Sequence, residues 1–139
     1  MSTRKLFTIG IALLVFAVIK LILLDIFWQQ SAAEQTTCDV RQGCTLPNGA
    51  YVKFSGTVSA KTPFSVELRN VAAEVGEVSV SFAMKDMDMG FNRYPLQRST
   101  DGVWQADHIR LPLCVAGRRD YLADINIGGQ VFQTAFSAE

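Results

Sequence analysis

Histidine is nearly missing from this chain: His108 is the only one among 139 residues. No GxSxG elbow is present either. A serine nucleophile needs a placed base and a sharp turn to present it, so Ser-His-Asp hydrolysis has no footing here. Glycine-rich phosphate loops and metal-hydrolase motifs are also missing, and an enzyme is not expected. No block of basic residues occurs. Thirteen Lys and Arg balance thirteen Asp and Glu, so the phosphate backbone of a nucleic acid has nothing to neutralise it. The three cysteines come without a second CxxC or a His pair, which excludes a zinc-ribbon or zinc-finger signature. Internal repeats and low-complexity tracts are lacking. From residue 46 onward no window carries a helical period.

What is present begins with a long apolar run. Arg4 and Lys5 precede residues 6–28, a mostly apolar stretch long enough to cross a bilayer as a helix. Positive residues on its N-terminal side predict a cytoplasmic N-terminus and an exported C-terminal part, with Phe27 and Trp28 at the level of an aromatic belt. Lys20 and Asp25 interrupt the run. Asp25 stands near the outer interface. Lys20 has two readings, a snorkelling side chain or a partner to another helix, and snorkelling is the simpler. A cleaved signal peptide is the alternative to an anchor, because Ser31, Ala32 and Ala33 are small. The length of the apolar run favours an uncleaved anchor. The expected organisation is an anchor over residues 1–28, a polar linker over 29–37 and an exported domain over 38–139. Residues 34–139 hold ten Lys and Arg against twelve Asp and Glu, an ordinary soluble surface.

An exported domain permits disulfides, and three cysteines allow three pairings with one thiol left over. Cys44–Cys114 or Cys38–Cys114 would close a loop of about 70 residues, which the loop-entropy argument values at about 4 kcal/mol. Cys38–Cys44 would only staple a local turn. The expectation leans to the long-range bridge.

The rest reads as short strands between turn residues. Pro47-Asn48-Gly49 is a turn. Strands are expected over 50–54, 64–68, 78–84, 91–97, 103–109, 121–127 and 131–136. Leu111 and Leu113 alternate around Pro112, and Pro95 restricts its strand to a sheet edge. Gly128-Gly129 predicts a hairpin. The expected fold is therefore all-β, an immunoglobulin-like sandwich of about seven strands preceded by one N-terminal transmembrane helix. Trp104 is expected in its core. Arg118-Arg119 reads most simply as a solvated turn.

Three of the four methionines lie at 84, 87 and 89. Strand parity sends Met84 inward with Phe82. Met87 and Met89 take the opposite parity, interleaved with Asp86 and Asp88, and stop at Gly90. Thioethers are soft ligands that favour Cu(I), so a copper-handling rim is one reading. The other is a pliable methionine pair closing the end of the core. His108 shares parity with Trp104 and Ala106. It reads either as an imidazole ligand or as a solvent-facing rim residue.

The order of these features resembles the FixH-like and YtkA-like membrane-anchored periplasmic proteins. The residues that carry the resemblance are Met87-Asp88-Met89-Gly90, Asn92-Arg93-Tyr94-Pro95-Leu96, Gly102-Val103-Trp104, Leu111-Pro112-Leu113-Cys114 and Gly117-Arg118. The resemblance implies a single-pass protein of the bacterial inner membrane that handles copper during assembly of a haem–copper respiratory oxidase. Its implied partners are an oxidase subunit or another copper chaperone. It implies Met87 and Met89 as metal-facing residues with Met84 as a third. On the copper reading itself, His108 or a cysteine would complete or exchange the ligand set. A metal-free interaction module of a larger membrane complex is the alternative.

Overall fold

The computed structural model describes residues 2–30, 33–87, 89–90, 92–113 and 117–139, with the side chains of residues 6 and 28–30 left aside. The chain divides into two units, Met1–Ala32 and Ala33–Glu139. The first unit is one helix, α1 (Thr3–Gln30). At 1.5 Å per residue it is about 42 Å long. It is long and apolar enough to cross a membrane over Thr3–Phe27, and apolar side chains occupy its whole circumference. Near its start Thr8 turns its hydroxyl back onto the carbonyls of Arg4 and Lys5, at 3.1 and 3.0 Å, which hides that polar group.

The second unit is built from ten strands among the described residues: β1 (Glu34–Thr36), β2 (Cys44–Thr45), β3 (Tyr51–Ser55), β4 (Phe64–Arg69), β5 (Val78–Ala83), β6 (Arg93–Pro95), β7 (Gln97–Arg98), β8 (Trp104–Ile109), β9 (Asp120–Ile127) and β10 (Gln130–Ser137). They form two five-stranded sheets, in the orders β1-β10-β9-β5-β6 and β2-β3-β4-β8-β7. The alternation seen in the sequence is the alternation of burial. In β4, Phe64, Val66 and Leu68 are buried, and in β9 Tyr121, Ala123, Ile125 and Ile127 are. The inward faces meet in one core. Phe54 and Phe64 from one sheet lie against Phe82 and Phe136 from the other, with ring centroids 5.5–6.1 Å apart and mostly edge-to-face. Trp104 belongs to this core, and the Arg98 guanidinium lies 5.8 Å from its ring.

Six of the seven expected strands fall on β3, β4, β5, β8, β9 and β10, and the count rises to ten for local reasons. β1 and β2 are short pieces before the first expected strand. The stretch expected as one strand over 91–97 is two: β6 pairs with β5 in one sheet, Leu96 is buried, and β7 pairs with β8 in the other. The chain changes sheets there, and β6, which carries Pro95, is the edge strand of its sheet. Residues 111–113 form no strand; Leu111 is buried and Leu113 is 74% exposed. Gly128 and Gly129 both have positive φ, the two-residue loop that joins β9 to β10.

The long-range disulfide does not form. Cys38 and Cys44 are bonded to each other, with Cα atoms 5.7 Å apart, and Cys114 lies outside the described residues. The loop-entropy argument ranks bridges by their effect once made and is silent on which thiols meet. Here the turn after Cys38, held by the Gly43 amide on the Asp39 carbonyl at 2.9 Å, brings the two cysteines within bonding reach. The buried Thr134 hydroxyl on β10 donates to the Cys38 carbonyl at 2.9 Å and ties the stapled turn to the first sheet.

Candidate metal-binding loop

The methionine segment starts where β5 ends. Val80 and Phe82 point into the core, and Met84 continues their parity: it is 2% exposed and belongs to the core. Its thioether is spent on packing, so Met84 is withdrawn from the expected ligand set. The chain then reverses. The Met87 amide donates to the Met84 carbonyl at 3.1 Å, and Asp86 takes a φ of 62° at the third position of this turn. A left-handed third residue is what a type II turn requires, and Asp tolerates it better than most. The reversal carries Met87 outward, where it is 39% exposed. Asp88 lies outside the described residues. Met89 is half-buried. It packs against the core cluster and also lines a groove of about 380 Å³ with Ser81, Asn92, Arg93 and Asp124.

Asn92 closes the loop at its base. Its amide nitrogen donates to the Phe82 carbonyl at 2.7 Å, and its amide oxygen accepts from the Phe82 N–H at 2.7 Å. β6 begins one residue later and pairs with β5 only up to Ser81. The Asn92 side chain therefore stands in for the next rung of the ladder, and it makes a third bond to the Gly90 carbonyl at 3.3 Å. On the other side the Arg118 guanidinium reaches the Lys85 carbonyl at 3.4 Å and pairs with Asp120. The Arg118 hydrogen bonds hold the Asp120 carboxyl below its usual range.

His108 does not join this loop through any described contact. It lies on β8, in the other sheet, and is exposed. The parity shared with Trp104 fails because of a β-bulge. Phe64 pairs with Ile109 and Val66 with Ala106, so Asp107 and His108 together oppose Ser65, and His108 takes a φ of 59°. Asp107 beside it accepts hydrogen bonds from Ser65 and Gln105, which hold its carboxyl low. Among the described residues no group of three or more His, Cys, Asp or Glu is placed to hold a metal. The bridged cysteines are not available as ligands. What the arrangement offers a soft cation is Met87, with Met89 two residues on. Asn92 is the residue sequence reasoning missed as a functional element. An Asn ten residues after the strand residue it serves leaves no local signature.

Comparison of the chain with protein-family models, with curated proteins and with solved structures finds no match.

Proposed function

We propose that this is a single-pass protein of the bacterial inner membrane whose β domain, on the periplasmic side, passes Cu(I) through Met87 and Met89 during assembly of a haem–copper respiratory oxidase. The carrying observation is the separation of the three sulfurs. Met84 enters the core, while the turn through Asp86 brings Met87 out on a loop pinned by Asn92. A sulfur that serves only packing does not need that construction. Two thioethers leave coordination positions open. Such a site suits transfer to a partner's ligands better than storage, and it favours Cu(I) over Zn(II). Arg4 and Lys5 support an N-terminus in the cytoplasm.

The immunoglobulin-like reading has two supports. Without β1 and β2, the orders β3-β4-β8-β7 and β10-β9-β5-β6 correspond to the A-B-E-D and G-F-C-C′ sheets of that architecture. Tyr121, the second residue of β9, donates its hydroxyl to the Pro112 carbonyl at 2.8 Å, as a tyrosine corner does at the start of the F strand. The resemblance to FixH-like and YtkA-like proteins points to the same fold and role.

The test is anaerobic competition for Cu(I) by the full chain in detergent, against a chromophoric chelator. The Met87→Ile/Met89→Ile variant is expected to lose at least about tenfold in affinity, and Met84→Ile to keep it. Equal affinity in the double variant and the parent removes the copper reading. The packing of Met89 against the core cluster favours the second reading, a metal-free module that docks on a membrane complex. Under it, neither variant changes metal uptake.

A further inference from the structure

We infer that α1 pairs inside the bilayer with a helix of a different protein that carries a carboxylate near mid-depth, and that Lys20 makes the contact. The inference rests on α1 crossing a membrane and is independent of the thioether loop.

The apolar span runs Thr3–Phe27, so its middle is residue 15. Lys20 is five residues further on, about 7.5 Å toward the C-terminal end. Its nearer interface lies ahead, at Phe27. A snorkelling lysine would have to extend that way. Helix geometry works against this, because every Cα–Cβ bond tilts toward the N-terminus and long side chains follow it. The side chain takes that course: the Lys20 ammonium lies 5.5 Å from the centre of the Phe16 ring, one turn back. Phe16 is the residue next to the middle of the span. The stem thus delivers the charge to mid-depth, where it is most costly and where a benzene ring is a poor replacement for water. A carboxylate on a neighbouring helix neutralises it.

That carboxylate does not come from this chain. Asp25 is the only acidic residue before Glu34. It is five residues on from Lys20, about 140° round the helix and about 7.5 Å further toward the C-terminal end. The ammonium leans the other way. In a parallel pair of two copies the same offset separates Lys20 from the second Asp25, so a homodimer leaves both lysines unneutralised. Ala17 is three residues before Lys20 and Gly10 two turns before Ala17, both about 60–80° round the helix from Lys20 on one side. Small residues there let a second backbone come close enough for the ion pair.

The experiment places the full chain, donor-labelled, in phosphatidylcholine–phosphatidylglycerol vesicles. The probe is an acceptor-labelled synthetic Leu/Ala transmembrane helix of about 25 residues with one glutamate at its middle. The comparators are the same helix with glutamine or leucine there. Energy transfer is expected to report association with the glutamate helix at least about tenfold tighter than with the leucine helix. Lys20→Leu should erase that preference, and Lys20→Arg should keep it. Equal association with the glutamate and leucine helices overturns the inference, as does a preference that survives Lys20→Leu. Self-association of the chain that Lys20→Leu and Asp25→Asn each abolish overturns it as well, in favour of a second copy.

Discussion

Replacing Asn92 with alanine tests the clamp on which the exposed loop depends. The side chain makes two 2.7 Å bonds to the backbone of Phe82, a residue 2% exposed whose ring meets Phe54, Phe64, Tyr94 and Phe136. Alanine removes both and strands the Phe82 N–H and C=O at the end of the β5–β6 ladder. A net hydrogen bond contributes about 1 kcal/mol, and a stranded buried group costs about 1–3 kcal/mol. Asn92 lies near the sheet edge and water can reach part of the gap, so the low end applies, about 2 kcal/mol for the pair. For a domain the size of Ala33–Glu139, that corresponds to a melting temperature lower by roughly 8 °C. Thermal unfolding of the full chain in detergent, followed by near-ultraviolet circular dichroism, reads the shift. Hydrogen exchange at the Phe82 amide reads the local event, with protection expected to fall more than that of Val80 in the same strand. Asn92→Asp keeps an acceptor for the Phe82 N–H and loses the donor to its carbonyl, so it should not restore stability. A melting temperature within about 2 °C of the parent, with Phe82 still protected, would refute the clamp.

The two ends of the Met84–Met87 turn should respond differently. Met84→Ala opens a core cavity and should destabilise by about 2–5 kcal/mol in denaturant titration. Met87→Ala, at an exposed site, should stay within about 0.5 kcal/mol. Tyr121→Phe removes the hydroxyl that reaches the Pro112 carbonyl, and should lower stability by about 1 kcal/mol with its ring still stacked on Phe136. Acid should weaken the domain through Asp120 and Asp107, whose carboxyls are held below 3.8 in the fold by Arg118 and by Ser65 with Gln105. A depressed folded value means the unfolded chain binds more protons, so this stabilisation is present above about pH 4 and is lost as pH falls through the folded values. Asp120→Asn and Asp107→Asn should each flatten the loss of stability below about pH 4 in urea midpoints.

How far the sequence could be read depended on the range of the interaction. The apolar run of α1, the alternation of β4 and β9, the edge position of Pro95 and the Gly128-Gly129 reversal are all local patterns, and each appears in the folded chain. Parity also assigned Met84 to the inside. Only the extension to a third thioether ligand went against it, and burial removed that ligand. His108 is exposed, the solvent-facing one of its two readings, though simple parity does not explain it. Its parity with Trp104 would have held in a regular strand, but one extra residue opposite Ser65 broke it. Such a bulge depends on how β8 fits β4, two segments some forty residues apart.

By itself the sequence determined that a helix able to cross a membrane precedes a β-rich chain, because continuous apolarity and period-two alternation act through neighbouring residues alone. The tertiary structure decided which cysteines meet, where the chain changes sheets at Leu96, and which methionine is buried. It also decided that Asn92 serves as a ladder rung for Phe82. These outcomes turn on distances between segments remote in the chain. Such distances exist only once two sheets have closed on a shared core, since alternation marks the residues of one face without naming the partner that face will find.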